Sequence, residues 1–425
     1  MKKIVLSLAG VLAATAFAPE ASALPAFARQ TGMACQACHF QKFPVLNGFG
    51  RAFKAAGYTM MGAQGKVEGE HLSIPDTLNA AILAKVRYQK DNTAKKATAT
   101  AANGLGDGQL QFGDELSLFF GGRVAENIGF LFEGNTVNNA AAGGTGNLLA
   151  GFKLPVMFDV GSAKLGLVPF TTDALGPQYG FELSSGGVLR ANRWSELRRE
   201  ASAVQYNADR GADAGAATGF AFVAQNDMGY INVTKYAPSF GMGSNGGTTP
   251  SYDMKSTYVR IAATPTVGDW AMVVGAGNMS GTSLTGAAGA PAVATLIQTK
   301  QTFFDFQAHG ELGGKEIGFY AQHASAPATI NTNAYNTGVT TRKAWTLGAD
   351  YSVIPHTLAI GAAYRNAQNG AAAGANGDNA FMVTAVYDLV QNIALHLNYA
   401  TYSGSAHNAV GSQKNQYLLM LEGAF

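Results

Sequence analysis

The chain of 425 residues predicts a transmembrane β-barrel of about 16 antiparallel strands, preceded by a small α-helical segment. Three observations predict it. Stretches of about ten residues alternate apolar and polar side chains, with turn residues between them. Only 13% of the residues are charged and 53 are glycine, whereas soluble domains carry roughly 25% charged residues. Beyond the N-terminus, no apolar run reaches the ~18 residues that a spanning helix needs.

Met1 to Ala23 reads as a signal peptide. Lys2 and Lys3 form its charged start, Ile4 to Phe17 its apolar run, and Ala21-Ser22-Ala23 a small-x-small cleavage site. The mature chain is expected to begin at Leu24 and to be exported. It then carries 27 basic against 26 acidic residues, which gives no electrostatic case for nucleic acid.

Both cysteines of the chain fall in the next segment, 24–70, in the pentapeptide Cys35-Gln36-Ala37-Cys38-His39. Cys-x-x-Cys-His is the c-type haem attachment pattern. Its two thiols form thioethers to the haem, and the histidine is the proximal iron ligand. No thiol remains for a disulfide or a zinc site. Asn47 is placed to cap a helix over 48–56, ended by Gly57. On that helix Leu46, Phe49, Gly50, Phe53 and Gly57 share one side. Arg51 and Lys54 fall on the other and are expected to be solvated; the second reading pairs them with haem propionates. A segment of about 45 residues is too small to shield a haem alone. It is therefore expected to plug the barrel or sit at its mouth, a free periplasmic domain being the second reading. For the distal iron ligand, Met60 and Met61 follow His39 by 21 and 22 residues, and His71 is the alternative. Met33 lies close to Cys35 and is expected on the wrong side.

A linker, 71–77, leads to the barrel, 78–425. Leu78, Ala80, Ile82, Ala84, Val86 and Tyr88 are expected to face lipid, and Asn79, Ala81, Leu83, Lys85, Arg87 and Gln89 the lumen. Short turns, as at Ala125-Glu126-Asn127, Gly313-Gly314-Lys315 and Ile354-Pro355-His356, alternate with longer loops such as 91–108, 239–252, 280–299 and 404–413. Short turns at one end and long loops at the other is the outer-membrane pattern. The stretch 173–200 is the least readable. Tyr417, Leu419, Leu421, Gly423 and Phe425 alternate to a terminal aromatic, as in strands recognised for barrel insertion. Lys85, Arg87, Arg123 and Glu133 are expected in the lumen. The cluster Arg190, Arg193, Glu196, Arg198, Arg199 and Glu200 reads as an exposed loop, and His407 as solvated. Segments 137–147, 280–299, 326–339 and 404–413 contain no Asp or Glu. A tight iron site built from oxygen ligands is therefore not visible.

Pro25-Ala26-Phe27-Ala28-Arg29-Gln30, Cys35 to His39, Phe43-Pro44, Leu46-Asn47-Gly48-Phe49-Gly50, Phe53-Lys54 and Gly57-Tyr58 resemble the fused monohaem cytochrome–porins, the outer-membrane iron oxidases of iron-oxidising bacteria. The likeness is specific over about 24–61; beyond it only the architecture matches. It implies an oxidoreductase with one covalent haem c on Cys35 and Cys38 and His39 as proximal ligand. It further implies that extracellular Fe(II) is oxidised and that electrons pass to a periplasmic c-type cytochrome or other soluble carrier. Outward electron transfer, or a solute porin with a haem-bearing plug, are the competing expectations.

Overall fold

The computed structural model describes residues 25–62, 64–93, 105–136, 149–188, 194–208, 215–240, 253–285, 295–329 and 332–425. The leader expected at 1–23, Arg190, Arg193 and much of the segments 91–108, 137–147, 239–252 and 280–299 lie outside the described residues.

Sixteen antiparallel strands close into one barrel. In order they are Ala80–Asp91, Gln109–Ala125, Ile128–Asn135, Leu149–Lys153 with Val156–Val160, Ala163–Thr172, Ala217–Asn226, Gly229–Ala237, Ser256–Ala263 with Thr266–Val267, Trp270–Ser280, Gln301–Leu312, Lys315–Ala326, Arg342–Ile354, Leu358–Asn369, Asn379–Val390, Ile393–Ser403 and Asn415–Ala424. Two of them are interrupted at Pro155 and Pro265, where proline removes the N–H that the ladder needs. Both halves of each still pair with the same neighbour. The last strand closes on the first, from Gln416 opposite Asp91 to Ala424 opposite Leu83.

Period two sorts the side chains as the alternation predicts. Phe222, Ile231, Ile261, Phe304, Trp345, Leu347, Phe381, Leu397 and Leu419 are exposed on the outside, while Lys85, Arg260, Asp305, Asp350 and Arg365 are buried within. An apolar exterior around a charged interior is the arrangement of a barrel solvated by lipid.

Among its described residues the stretch 173–200 adds no strand. It belongs to a segment running to residue 208 that folds into the lumen, with short helices at Arg198–Ala201 and Ala203–Ala208. Phe181, Leu183, Trp194 and Tyr206 are all buried. Arg260 on the wall pairs with Glu182 at 2.7 Å and with Asp305 at 2.5 Å. Tyr230 donates to Glu182 at 2.6 Å, and Asn232 to the carbonyl of Phe181 at 2.9 Å.

The cluster read as an exposed loop is corrected accordingly. Glu196 and Glu200 are buried, with Arg87 3.3 Å from Glu196 and Arg365 3.5 Å from Glu200. His407 is likewise not solvated. It bonds Asp378 at 3.0 Å and stacks on Tyr402. The barrel supplies these polar groups with partners that replace water.

The N-terminal segment sits in the barrel at the short-turn end. Gln41 donates to the carbonyl of Glu316 at 3.1 Å, and Gln225 to that of Ala55 at 2.6 Å. Gly57 packs on Pro155 and Met157. The residues expected as a linker form half of a hairpin, Lys66–Gly69 with Leu72–Pro75.

Candidate functional site

The pentapeptide folds as one tight turn. A single turn of 3-10 helix spans Cys35–Ala37, and the amides of Cys38 and His39 both donate to the carbonyl of Cys35, at 3.0 and 2.8 Å. Cys35 is buried and Cys38 half-buried, both as free thiols. Burial pushes the Cys35 thiol up to about 12 and raises that of Cys38.

His39 is fixed by a backbone partner. Its Nδ1 lies 3.2 Å from the carbonyl of Val45. A carbonyl only accepts, so Nδ1 carries the hydrogen and Nε2 keeps its lone pair in the neutral ring. Val45 is held in turn, its carbonyl accepting from Phe40 at 2.8 Å and its amide donating to Lys42 at 3.1 Å. Burial depresses His39 to about 4, against the opposing pull of the Val45 bond. The ring therefore stays neutral, as a metal ligand must be, down to about pH 4.

The helix Gly48–Ala55 is pinned to this turn by its cap. Asn47 Oδ1 accepts from Gly50 at 2.9 Å, while its Nδ2 donates to the carbonyls of Gln36 and Ala37, each at 3.1 Å. Its own amide donates to Cys38 at 3.0 Å. The helix crosses so close that a Cβ at Gly50 would stand 2.1 Å from the carbonyl oxygen of Cys38. Gly50→Ala is therefore expected to cost about 1–3 kcal/mol in overpacking and to displace the helix from the turn. The check is thermal unfolding of this variant against Gly48→Ala, whose Cβ meets only the tip of Arg51 at 4.0 Å.

A cavity of about 360 Å³ lies beside the turn. Cys38 and His39 border it. Phe27, Phe43, Leu46, Phe53, Leu83 and Leu131 form apolar wall; Lys54, Lys85, Lys153 and Arg198 bring cations to it, and Asp114, Glu115, Glu133 and Asp173 carboxylates. Lys153 donates to the carbonyl of Tyr179 at 3.1 Å and lies over the rings of Tyr58 and Tyr179, at 5.4 and 4.6 Å from their centroids. Among the described residues neither Lys54 nor Lys153 forms an ion pair. Burial depresses Lys54 to about 8, the charge of Glu182 opposing it. Cys35 faces a smaller space toward the short turns, shared with Lys42, His356 and Asp388.

One sequence expectation changes here. Arg51 and Lys54 have no solvated face: Arg51 is buried and donates to the carbonyl of Leu46 at 3.1 Å, and Lys54 borders the cavity. Their helix lies inside the barrel, which a helical wheel cannot register. Phe53 is buried, but Phe49 is 39% exposed. Met60 and Met61 are not among the cavity's lining residues, Met60 being 37% exposed. His71 sits at the tip of the hairpin with its side chain 92% exposed. Met33 borders the cavity. Lys153 went unnoticed because alternation marks it only as one more lumen position. Among the described residues no group of three or more His, Cys, Asp or Glu is placed to hold a metal ion.

No protein-family model matches the chain, and no curated protein matches it. Solved structures similar in shape include OmpT of Vibrio cholerae, at 12% identity and a TM-score of 0.46, covering 85% of this chain and 100% of that one. The outer membrane channel DcaP of Acinetobacter baumannii has 11% identity and a TM-score of 0.46, covering 84% and 99%. OmpF of Salmonella typhi, in complex with daunomycin, has 12% identity and a TM-score of 0.49, covering 85% and 100%. These are likenesses of shape; the barrel itself is established by its strand pairing.

Proposed function

We propose that the chain is an outer-membrane electron-transfer protein that carries one covalent haem c on Cys35 and Cys38 and oxidises extracellular Fe(II). The observation that carries this reading is the Cys-x-x-Cys-His turn with the His39 Nε2 lone pair left free by the Val45 bond, beside a cavity with an aromatic and aliphatic stretch of wall. Two thiols in one turn, one neutral imidazole and an apolar stretch of wall fit the attachment and proximal ligation of haem c, with Lys54 and Lys153 as the nearby amines for its propionates beside the carboxylates Asp114, Glu115, Glu133 and Asp173. Bound there, a haem c supplies reversible one-electron exchange at its iron.

The chain's own residues do the rest. Cys35 and Cys38 provide the attachment sulfurs, and His39 the proximal nitrogen in the required tautomer. Lys54 and Lys153 offer counter-charges, and Phe27, Phe43 and Phe53 exclude water. Burial and ligation set the potential. Each Fe(II) gives up one electron to become Fe(III), and the electron leaves to a periplasmic c-type cytochrome or other soluble carrier. The plug and the inward segment occupy the lumen, which favours passage of electrons over passage of iron.

Expression with a c-type maturation system tests the assignment. The purified chain is expected to keep its haem stain on a denaturing gel; a chain that matures in that system yet never stains contradicts it. For the distal position, Met60→Leu, Met61→Leu and His71→Ala are expected to leave the haem spectrum unchanged, while Met33→Leu shifts it, because only Met33 of the four borders the cavity.

A second reading, a solute porin with a haem-bearing plug, is favoured by the barrel and by a lumenal space of about 370 Å³ lined by Arg87, Gln89, Glu196, Arg199 and Gln416. Bilayer conductance separates the two: open-pore conductance with slow haem reduction supports the porin. A haem potential below that of the iron couple supports outward transfer.

A further inference from the structure

One stretch of the barrel's outer face carries lysines at its long-loop end. At the long-loop ends of the seventh, eighth, tenth and twelfth strands, Lys235, Lys255, Lys300 and Lys343 are exposed. Their neighbours Thr234, Ser256, Thr299, Gln301 and Arg342 are buried in the lumen, so period two turns all four lysines to the outer face. The strand pairing sets them on one edge: Lys235 is opposite Thr257, Thr257 opposite Ser280, Thr302 opposite Ser325, and Ser325 opposite Lys343. Lys235 donates to Thr257 at 2.7 Å. Lys255 pairs with Asp253 at 2.7 Å.

The apolar band begins one outward position lower. Val233, Phe304 and Trp345 are exposed there, two residues from Lys235, Thr302 and Lys343 and hence about 7 Å along the strand. At the opposite end Glu126, Asp159, Asp227, Asp269 and Glu311 are exposed on the barrel's turns, with Arg29 and Lys66 of the N-terminal segment as exposed cations. Of the amines there, Lys164 is held by Asp159 at 2.5 Å and Lys315 by the carbonyl of Val353 at 2.6 Å.

We infer that Lys235, Lys255, Lys300 and Lys343, with the intervening hydroxyls, form a binding surface for the phosphate groups of an anionic lipid whose chains lie on the apolar band below. Ammonium groups at a headgroup boundary attract anionic lipid, hydroxyls complete the donor set for phosphate oxygens, and the carboxylates at the other end repel the same lipid. The surface would anchor the long-loop end in the phosphate-rich leaflet of an outer membrane and fix the chain's orientation. This does not depend on the haem assignment.

The test uses the folded full chain in detergent, with thermal unfolding read by the gel shift of the heat-modifiable barrel. Three additives are compared: a bisphosphorylated glycolipid, the same glycolipid with its phosphates removed, and inorganic phosphate. Wild-type protein is expected to unfold at higher temperature only with the bisphosphorylated glycolipid. The variant Lys235→Gln/Lys255→Gln/Lys300→Gln/Lys343→Gln should lose that shift, and Lys164→Gln at the other end should keep it. If the fourfold variant does not fold, the pairs Lys235→Gln/Lys255→Gln and Lys300→Gln/Lys343→Gln are each expected to lose about half of it. An equal shift with dephosphorylated lipid, a full shift with inorganic phosphate, or an undiminished shift in the variants overturns the inference.

Discussion

Replacing Cys35 and Cys38 by serine is expected to abolish covalently bound haem without unfolding the barrel. Sulfur is the attacking atom in thioether formation, and no other cysteine exists in the chain to substitute. Serine nearly preserves the volume, and the turn that presents both positions is held by backbone bonds and by Asn47 rather than by the thiols. The haem stain on a denaturing gel should fall to background while the heat-modifiable gel shift of the barrel persists. Stain retained by the double variant would mean that haem is held elsewhere. Loss of the gel shift would mean that the thiols serve the fold, and would leave the haem assignment to the wild-type stain.

Removing the cation at Arg260 is expected to cost the most stability. Its side chain and that of Glu182 are fully buried, and that of Asp305 is nearly so. Arg260→Met leaves two carboxylates facing each other without a counter-ion. Breaking a buried pair in this way costs about 3–5 kcal/mol. The loss should free the inward segment first, because Glu182 is the segment's ionic tie to that wall. Neutralising the partners as well, in Arg260→Met/Glu182→Gln/Asp305→Asn, is expected to recover most of the loss. Denaturant unfolding of the refolded barrel, with proteolysis between residues 173 and 208, reads both effects. Equal stability of Arg260→Met and wild type would mean that water reaches this cluster.

The strands were legible because lipid and lumen impose opposite chemistry on alternate residues, so that Ile82 and Lys85 declare their faces in the sequence. The stretch 173–200 was not, because its described residues are enclosed by the barrel and have no lipid face to set a period. Phe181, Glu182 and Trp194 follow one another without pattern since the wall, hundreds of residues away in places, supplies each partner. The same enclosure explains Arg51, Lys54 and Glu196: local sequence marks them as solvated, and only closure of the barrel removes the water. The helix cap at Asn47 and the stop at Gly57 were legible because both are local devices. The surroundings of His39 were half legible. The motif names the ring, but the carbonyl that sets its tautomer belongs to Val45, within a turn whose course the spacing alone does not give.

Anaerobic mixing of the oxidised, haem-loaded protein with Fe(II), followed by haem absorbance at the working pH, tests the central claim most directly. Rapid, near-complete reduction is expected in wild type, and no signal in the Cys35→Ser/Cys38→Ser variant. Haem that ignores Fe(II) yet is readily reduced by a stronger reductant would contradict the claim, and would turn the reading toward outward transfer or a solute porin.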